Sequence, residues 1–156
     1  MKNLIQSLPW VILAASTCWG TAAIADDKSA ELSSTSEIAD SVAHTVDGSA
    51  FTLLKTDSST PVYVIRRDGP GKVEVHRTLN DVIVIREGTT TVLIGENVEG
   101  NQEIKPNEWL GGKIVGGKTY RLSPGDVLFI PAGLGHLITP SPGGSVTYLV
   151  VKTAAK

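Results

Sequence analysis

The chain has 156 residues, 41% of them hydrophobic and 19% charged. That balance supports one globular domain and excludes a disordered chain. The net charge is −2 with no basic run, which argues against nucleic acid as a partner.

The first 25 residues read as an export signal. Lys2 supplies a short positive region, Leu8 to Ala15 an apolar stretch broken by Pro9, and Ala23-Ile24-Ala25 a small-x-small cleavage site before Asp26-Asp27. The apolar run is too short for a comfortable membrane span. Residues 1–25 are therefore read as a signal peptide, and the mature protein as periplasmic or secreted with no stable membrane span. Cleavage removes Lys2 and no acid, leaving 13 basic and 16 acidic residues, a net charge of −3. It also removes Cys18, the only cysteine, so the mature chain has no disulfide or thiolate chemistry.

Residues 26–48 read as a flexible, serine-rich lead-in and a short helix. Ser34 and Glu37 form a capping-box pattern, and Ile38 and Val42, four apart, share one helix face. His44 near the helix end has no ligand-spaced partner and reads as a surface residue.

From residue 49 to 152 the pattern is all-β. Short apolar runs fall at 51–54, 62–67, 72–76, 82–85, 89–94, 120–122, 127–130, 137–139 and 146–151, separated by Gly and Pro turns such as Asp68-Gly69-Pro70-Gly71 and Pro124-Gly125-Asp126. Many short strands with such turns predict a sandwich or jelly-roll barrel and no alternating βαβ unit. Residues 96–119 break the rhythm; they read as a functional loop or lid, or as a hairpin extension packed through Trp109. Arg67, Arg86, Tyr148 and Lys152 are the other polar groups on predicted strands. Their phase is not fixed by the pattern; they are expected outward or interfacial, and one pointing inward would suit a substrate carboxylate.

Four residues carry candidate chemistry. Glu74 and His76, two apart on a strand, point to one face. Asp81 follows after four intervening residues, and His136 follows the tight Pro131-Ala132-Gly133 turn. Two imidazoles with one or two carboxylates suit a divalent ion such as Fe, Mn, Zn or Ni. The set is Glu74, His76, Asp81 and His136, or a triad of His76, Asp81 and His136 with Glu74 outside it as a general base.

These two stretches resemble the motifs of the cupin superfamily. The first cupin motif has a His-x-His pair, a glutamate after three or four residues, and a glycine after six more. Here Glu74, His76, Asp81 and Gly88 occupy those positions, so the motif is degenerate. The second reads Gly125, five residues, Pro131, one residue, Gly133, two residues, His136, with Pro140 where asparagine is usual. The resemblance covers roughly residues 50–151 and implies a cupin-type jelly-roll barrel, or double-stranded β-helix. It also implies one divalent metal in the barrel and a metal-dependent oxygenase, isomerase or lyase acting on a small organic molecule. The alternative is a non-catalytic module that binds a sugar or organic acid. Pairing of barrels through their sheets implies a homodimer, a role that the apolar run Val82 to Ile85 suits.

Overall fold

The computed structural model describes residues 30–54 and 59–156, and residues Glu31–Lys156 form one compact unit. The expected signal peptide lies outside the described residues. Among those described, no helix is long and apolar enough to cross a membrane.

Helix α1 (Thr35–Ser41) starts where the capping box predicts. The Ser34 hydroxyl accepts from the Glu37 N–H at 3.3 Å, and the Glu37 carboxylate accepts from the Ser34 N–H at 2.8 Å. His44 is exposed, as expected.

Thirteen strands follow among the described residues. They are β1 (Ser49–Leu53), β2 (Val62–Arg67), β3 (Glu74–His76), β4 (Leu79–Gly88), β5 (Thr90–Gly95), β6 (Val98–Glu99) and β7 (Gln102–Lys105). Then come β8 (Glu108–Leu110), β9 (Lys113–Ile114), β10 (Lys118–Leu122), β11 (Val127–Ile130), β12 (Gly135–Pro140) and β13 (Val146–Ala154). They pair antiparallel into a five-stranded sheet ordered β1-β2-β13-β4-β11 and a six-stranded sheet ordered β10-β5-β12-β3-β8-β7. The pair β6-β9 forms a separate ribbon.

The two large sheets close over a core of Ile83, Ile85, Val92, Leu122, Ile130, Ile138, Val146, Tyr148 and Val150. Alternation along β4 produces this. Asp81, Ile83 and Ile85 are buried, whereas Val82 and Val84 between them are half-buried on the opposite face. Burying an isoleucine of this kind contributes about 1.5–3 kcal/mol relative to leaving it exposed. On the outer face of the five-stranded sheet, Ile38 and Val42 pack with Val64, Ala50, Leu54 and Leu149, so α1 covers part of that face.

Residues 96–119 resolve into β6 to β9. This is the hairpin extension rather than an unstructured lid. Strand β8 pairs with β3, which puts Trp109 opposite Val75, and Trp109 also lies 5.0 Å beneath the Arg77 guanidinium. Gly88 ends β4 with φ of 72°, and an added Cβ would collide with the Ser145 carbonyl oxygen. The position therefore demands glycine for two separate reasons.

Candidate metal centre

Three cross-strand pairs build the polar end of the barrel. Glu74 on β3 stands opposite His136 on β12, His76 on β3 opposite Glu108 on β8, and Asp81 on β4 opposite Lys152 on β13. Directly opposed residues on antiparallel strands share a face at close range. The single register that buries the core therefore also gathers six polar side chains. Two local contacts tie the motif segments together. The Gly133 N–H donates to the His76 carbonyl at 2.7 Å, and the Ala132 N–H donates to the Asn80 side-chain oxygen at 3.0 Å. Gly133 has φ of 88°, the conformation that the tight turn ahead of His136 requires.

Among the described residues, Glu74, His76 and His136 each offer one donor atom, all within 4.8 Å of one another. Three donors each about 2.1 Å from one ion would lie about 3.0–3.4 Å apart, so the widest spacing would contract by more than an ångström on binding. The ring centroids of the two histidines are 5.3 Å apart and inclined at 45°. Nε2 of His76 faces Glu74 Oε2 at 3.5 Å and Asp81 Oδ2 at 3.4 Å. Nε2 of His136 faces Asp81 Oδ2 at 3.5 Å. The other ring nitrogens point away from the cluster: His76 Nδ1 bonds Glu108 Oε2, and His136 Nδ1 faces the Leu134 carbonyl at 3.4 Å. An acceptor on Nδ1 fixes the tautomer that leaves a lone pair on Nε2.

Electrostatics separate the two imidazoles. Burial lowers the His136 pKa further than Glu74 and Asp81 raise it, so the ring is neutral at physiological pH. Burial also pulls on His76, but hydrogen bonds to Asp81 and Glu74 outweigh it and raise that ring to about 9, with Lys152 opposing. Lys152 Nζ lies 2.9 Å from His76 Nε2, a contact that needs a lone pair on that nitrogen. The geometry thus corresponds to the neutral ring with its proton on Nδ1. A second proton on Nε2 would turn it toward the carboxylates at the expense of the lysine contact. Burial works to raise Asp81, yet His76 and Lys152, whose Nζ is 2.7 Å from Oδ1, hold it below the usual carboxylate range. Glu74 behaves alike: burial raises it, but the His76 hydrogen bond, the neighbouring His136 ring and the Arg67 charge hold it low.

Behind the donors lies a second layer. Arg67 Nη2 donates to Glu74 Oε1 at 3.0 Å, and Arg67 Nε donates to the Tyr148 hydroxyl at 2.9 Å. Burial pushes the Tyr148 phenol up to about 12, which keeps it neutral. Arg67, Tyr148 and Lys152 therefore point inward, correcting the expectation that they face outward, whereas Arg86 is exposed as expected.

Three solved structures share the architecture. A protein from Thermus thermophilus is 20% identical over 80% of this chain and 98% of its own, with a TM-score of 0.59. A cupin domain from Schizosaccharomyces pombe is 14% identical over 70% and 67%, with a TM-score of 0.52. A sugar phosphate isomerase from a cupin superfamily, from Silicibacter pomeroyi, is 20% identical over 70% and 61%, with a TM-score of 0.50.

The chain has the cupin fold. At these identities the likeness extends to the fold alone. No family model matches the chain, and no curated protein matches it. Within this cupin barrel, all four residues singled out by the motifs lie at one end. Glu74, His76 and His136 form the compact donor group, and Asp81 sits beside them, paired to Lys152. The motif reasoning missed Glu108. Its only sequence signal is its place in the short Glu108-Trp109-Leu110 run after the Pro106-Asn107 turn.

Proposed function

We propose that this chain is an exported cupin that holds one divalent ion through Glu74, His76 and His136 and uses it on a small organic molecule. The observation that carries this reading is the grouping of Glu74, His76 and His136, each with a donor atom within 4.8 Å of the others, while both Nδ1 atoms are turned outward onto acceptors. Two imidazoles and a carboxylate suit Fe, Mn, Zn or Ni, with coordination positions left open.

When bound, the ion supplies Lewis acidity or a position for dioxygen. The remaining work falls to the chain's own residues. Glu108 and the Leu134 carbonyl hold the two rings at a fixed angle. Arg67 keeps Glu74 ionised and aimed inward. A carboxylate held this low is a weak base, which favours Glu74 as a ligand over Glu74 as a general base. Leu79, Ile130, Pro131 and Leu134 wall the cleft beside His76, Asp81 and His136 and limit water there.

Those side chains are packed closely enough to leave no water-sized space in the cleft, so it does not enclose a whole sugar as a non-catalytic binding module would. The proposed chemistry is metal-assisted oxidation, isomerisation or lyase action on a small organic acid or phenolic compound.

A thermal-shift titration tests the reading. Added divalent metal is expected to stabilise chelated wild-type protein and to leave His76→Ala and His136→Ala unmoved; equal shifts in all three contradict it. Export rests on Lys2, the apolar run 8–15 and Ala23-Ile24-Ala25. The mature N-terminus is expected at Asp26, and a native protein that still begins at Met1 removes export from the account.

A further inference from the structure

Lys152 lies inside the polar cluster, and a structural ion pair alone does not account for its position. Its ammonium donates to Asp81 Oδ1 at 2.7 Å and also reaches His76 Nε2 at 2.9 Å. Nε2 is the atom that faces the other donors, since Nδ1 is committed to Glu108. A nitrogen lone pair accepts one partner at a time. A metal ion on His76 Nε2 and a lysine hydrogen bond to that atom are therefore mutually exclusive.

We propose that Lys152 is a built-in competitor for the ion, an exchangeable cation that occupies His76 Nε2 until a divalent metal displaces it. This rests on the metal-binding reading above. The chain geometry makes the exchange local. Lys152 stands directly opposite Asp81 across the β4–β13 ladder, so the ammonium can give up Nε2 and keep its carboxylate. Four flexible side-chain carbons allow that shift without backbone movement. Asp81 is then the lysine's counter-ion in both states through Oδ1, while its Oδ2 faces both Nε2 atoms at 3.4 and 3.5 Å. The charge of the cluster also stays balanced: an ammonium satisfies the carboxylates before metal arrives, and the ion takes over part of that role afterwards. The consequence is selectivity by strength. Ions that bind imidazole weakly fail to displace the lysine, whereas those high in the affinity order succeed.

The test is calorimetric titration of chelated full-length protein with Co²⁺ and Zn²⁺, comparing wild type with Lys152→Met, Lys152→Gln and Arg67→Met. Loss of a charge-assisted hydrogen bond to Nε2 should tighten binding by at least about tenfold in both Lys152 variants. Arg67→Met controls for general charge. It removes a cation from the same cluster that touches Glu74 and Tyr148 and makes no contact with Nε2, so binding should not tighten, and the loss of Glu74's partner should weaken it. Lys152→Gln serves if the Met variant fails to fold. Unchanged or weaker binding in the Lys152 variants, or an equal gain in Arg67→Met, overturns the proposal and leaves the metal reading standing. Absence of binding in wild type and all variants overturns both.

Discussion

Glu108 lies directly across the β3–β8 ladder from His76 and accepts the hydrogen bond from its Nδ1. The extension 96–119 thus reaches into the site: it delivers the carboxylate that sets which nitrogen of His76 is free.

Glu108 is accordingly a positioning residue. Glu108→Ala is expected to weaken divalent-metal binding by about 10- to 100-fold, the usual cost of losing such a partner. Glu108→Gln should recover part of the loss, because an amide oxygen still accepts from Nδ1. Isothermal titration at fixed pH measures both; wild-type affinity in Glu108→Ala removes the role.

The pH dependence follows from the two histidines. Although burial opposes it, Asp81 and Glu74 favour protonation of His76 below about 9, so a proton, the Lys152 ammonium and an entering ion compete for Nε2. Apparent metal affinity should therefore climb about tenfold per pH unit between 7 and 9 and flatten above. Stability of the metal-free protein behaves differently. His76, raised in the folded state from 6.5, contributes stability that is fully present below 6.5 and is lost as pH rises through about 9. His136, lowered by burial, resists the proton that the unfolded chain takes up, so stability also declines as pH falls below 6.5. Denaturant melts across pH should give a maximum near 6.5 when metal is absent, and a flat profile between 5 and 9 would contradict the assignments.

The fold was legible because its signals are local. The Ser34–Glu37 capping box, the Gly and Pro turns and the alternation of Asp81, Ile83 and Ile85 each act within a few residues. Glu74, His76 and His136 were legible for the same reason, from strand period and from the Pro131-Ala132-Gly133 turn. The inward direction of Tyr148 and Lys152 was not, because β13 shifts register between Thr147 and Tyr148. That irregularity buries Val146, Thr147 and Tyr148 in succession and destroys the period-two pattern from which facing is read. Glu108 was hidden by a similar shift, between Glu103 and Lys105, in the hairpin that carries it.

The outer face of the five-stranded sheet suggests how two chains would pair. Phe129 is 56% and Val127 63% exposed, and they lie beside the half-buried Val82 and Val84 in register. The homodimer expected from the cupin resemblance would bury this strip. Sedimentation at low micromolar concentration should give a dimer for wild type and a monomer for Phe129→Glu; a monomeric wild type removes the dimer.

The central claim is that Glu74, His76 and His136 hold one divalent ion, and elemental analysis of protein purified from its native compartment without a nickel column tests it most directly. The account predicts up to one equivalent of a single transition metal per chain, lost in His76→Ala and in His136→Ala. Metal content in wild type no higher than in those two variants would contradict it.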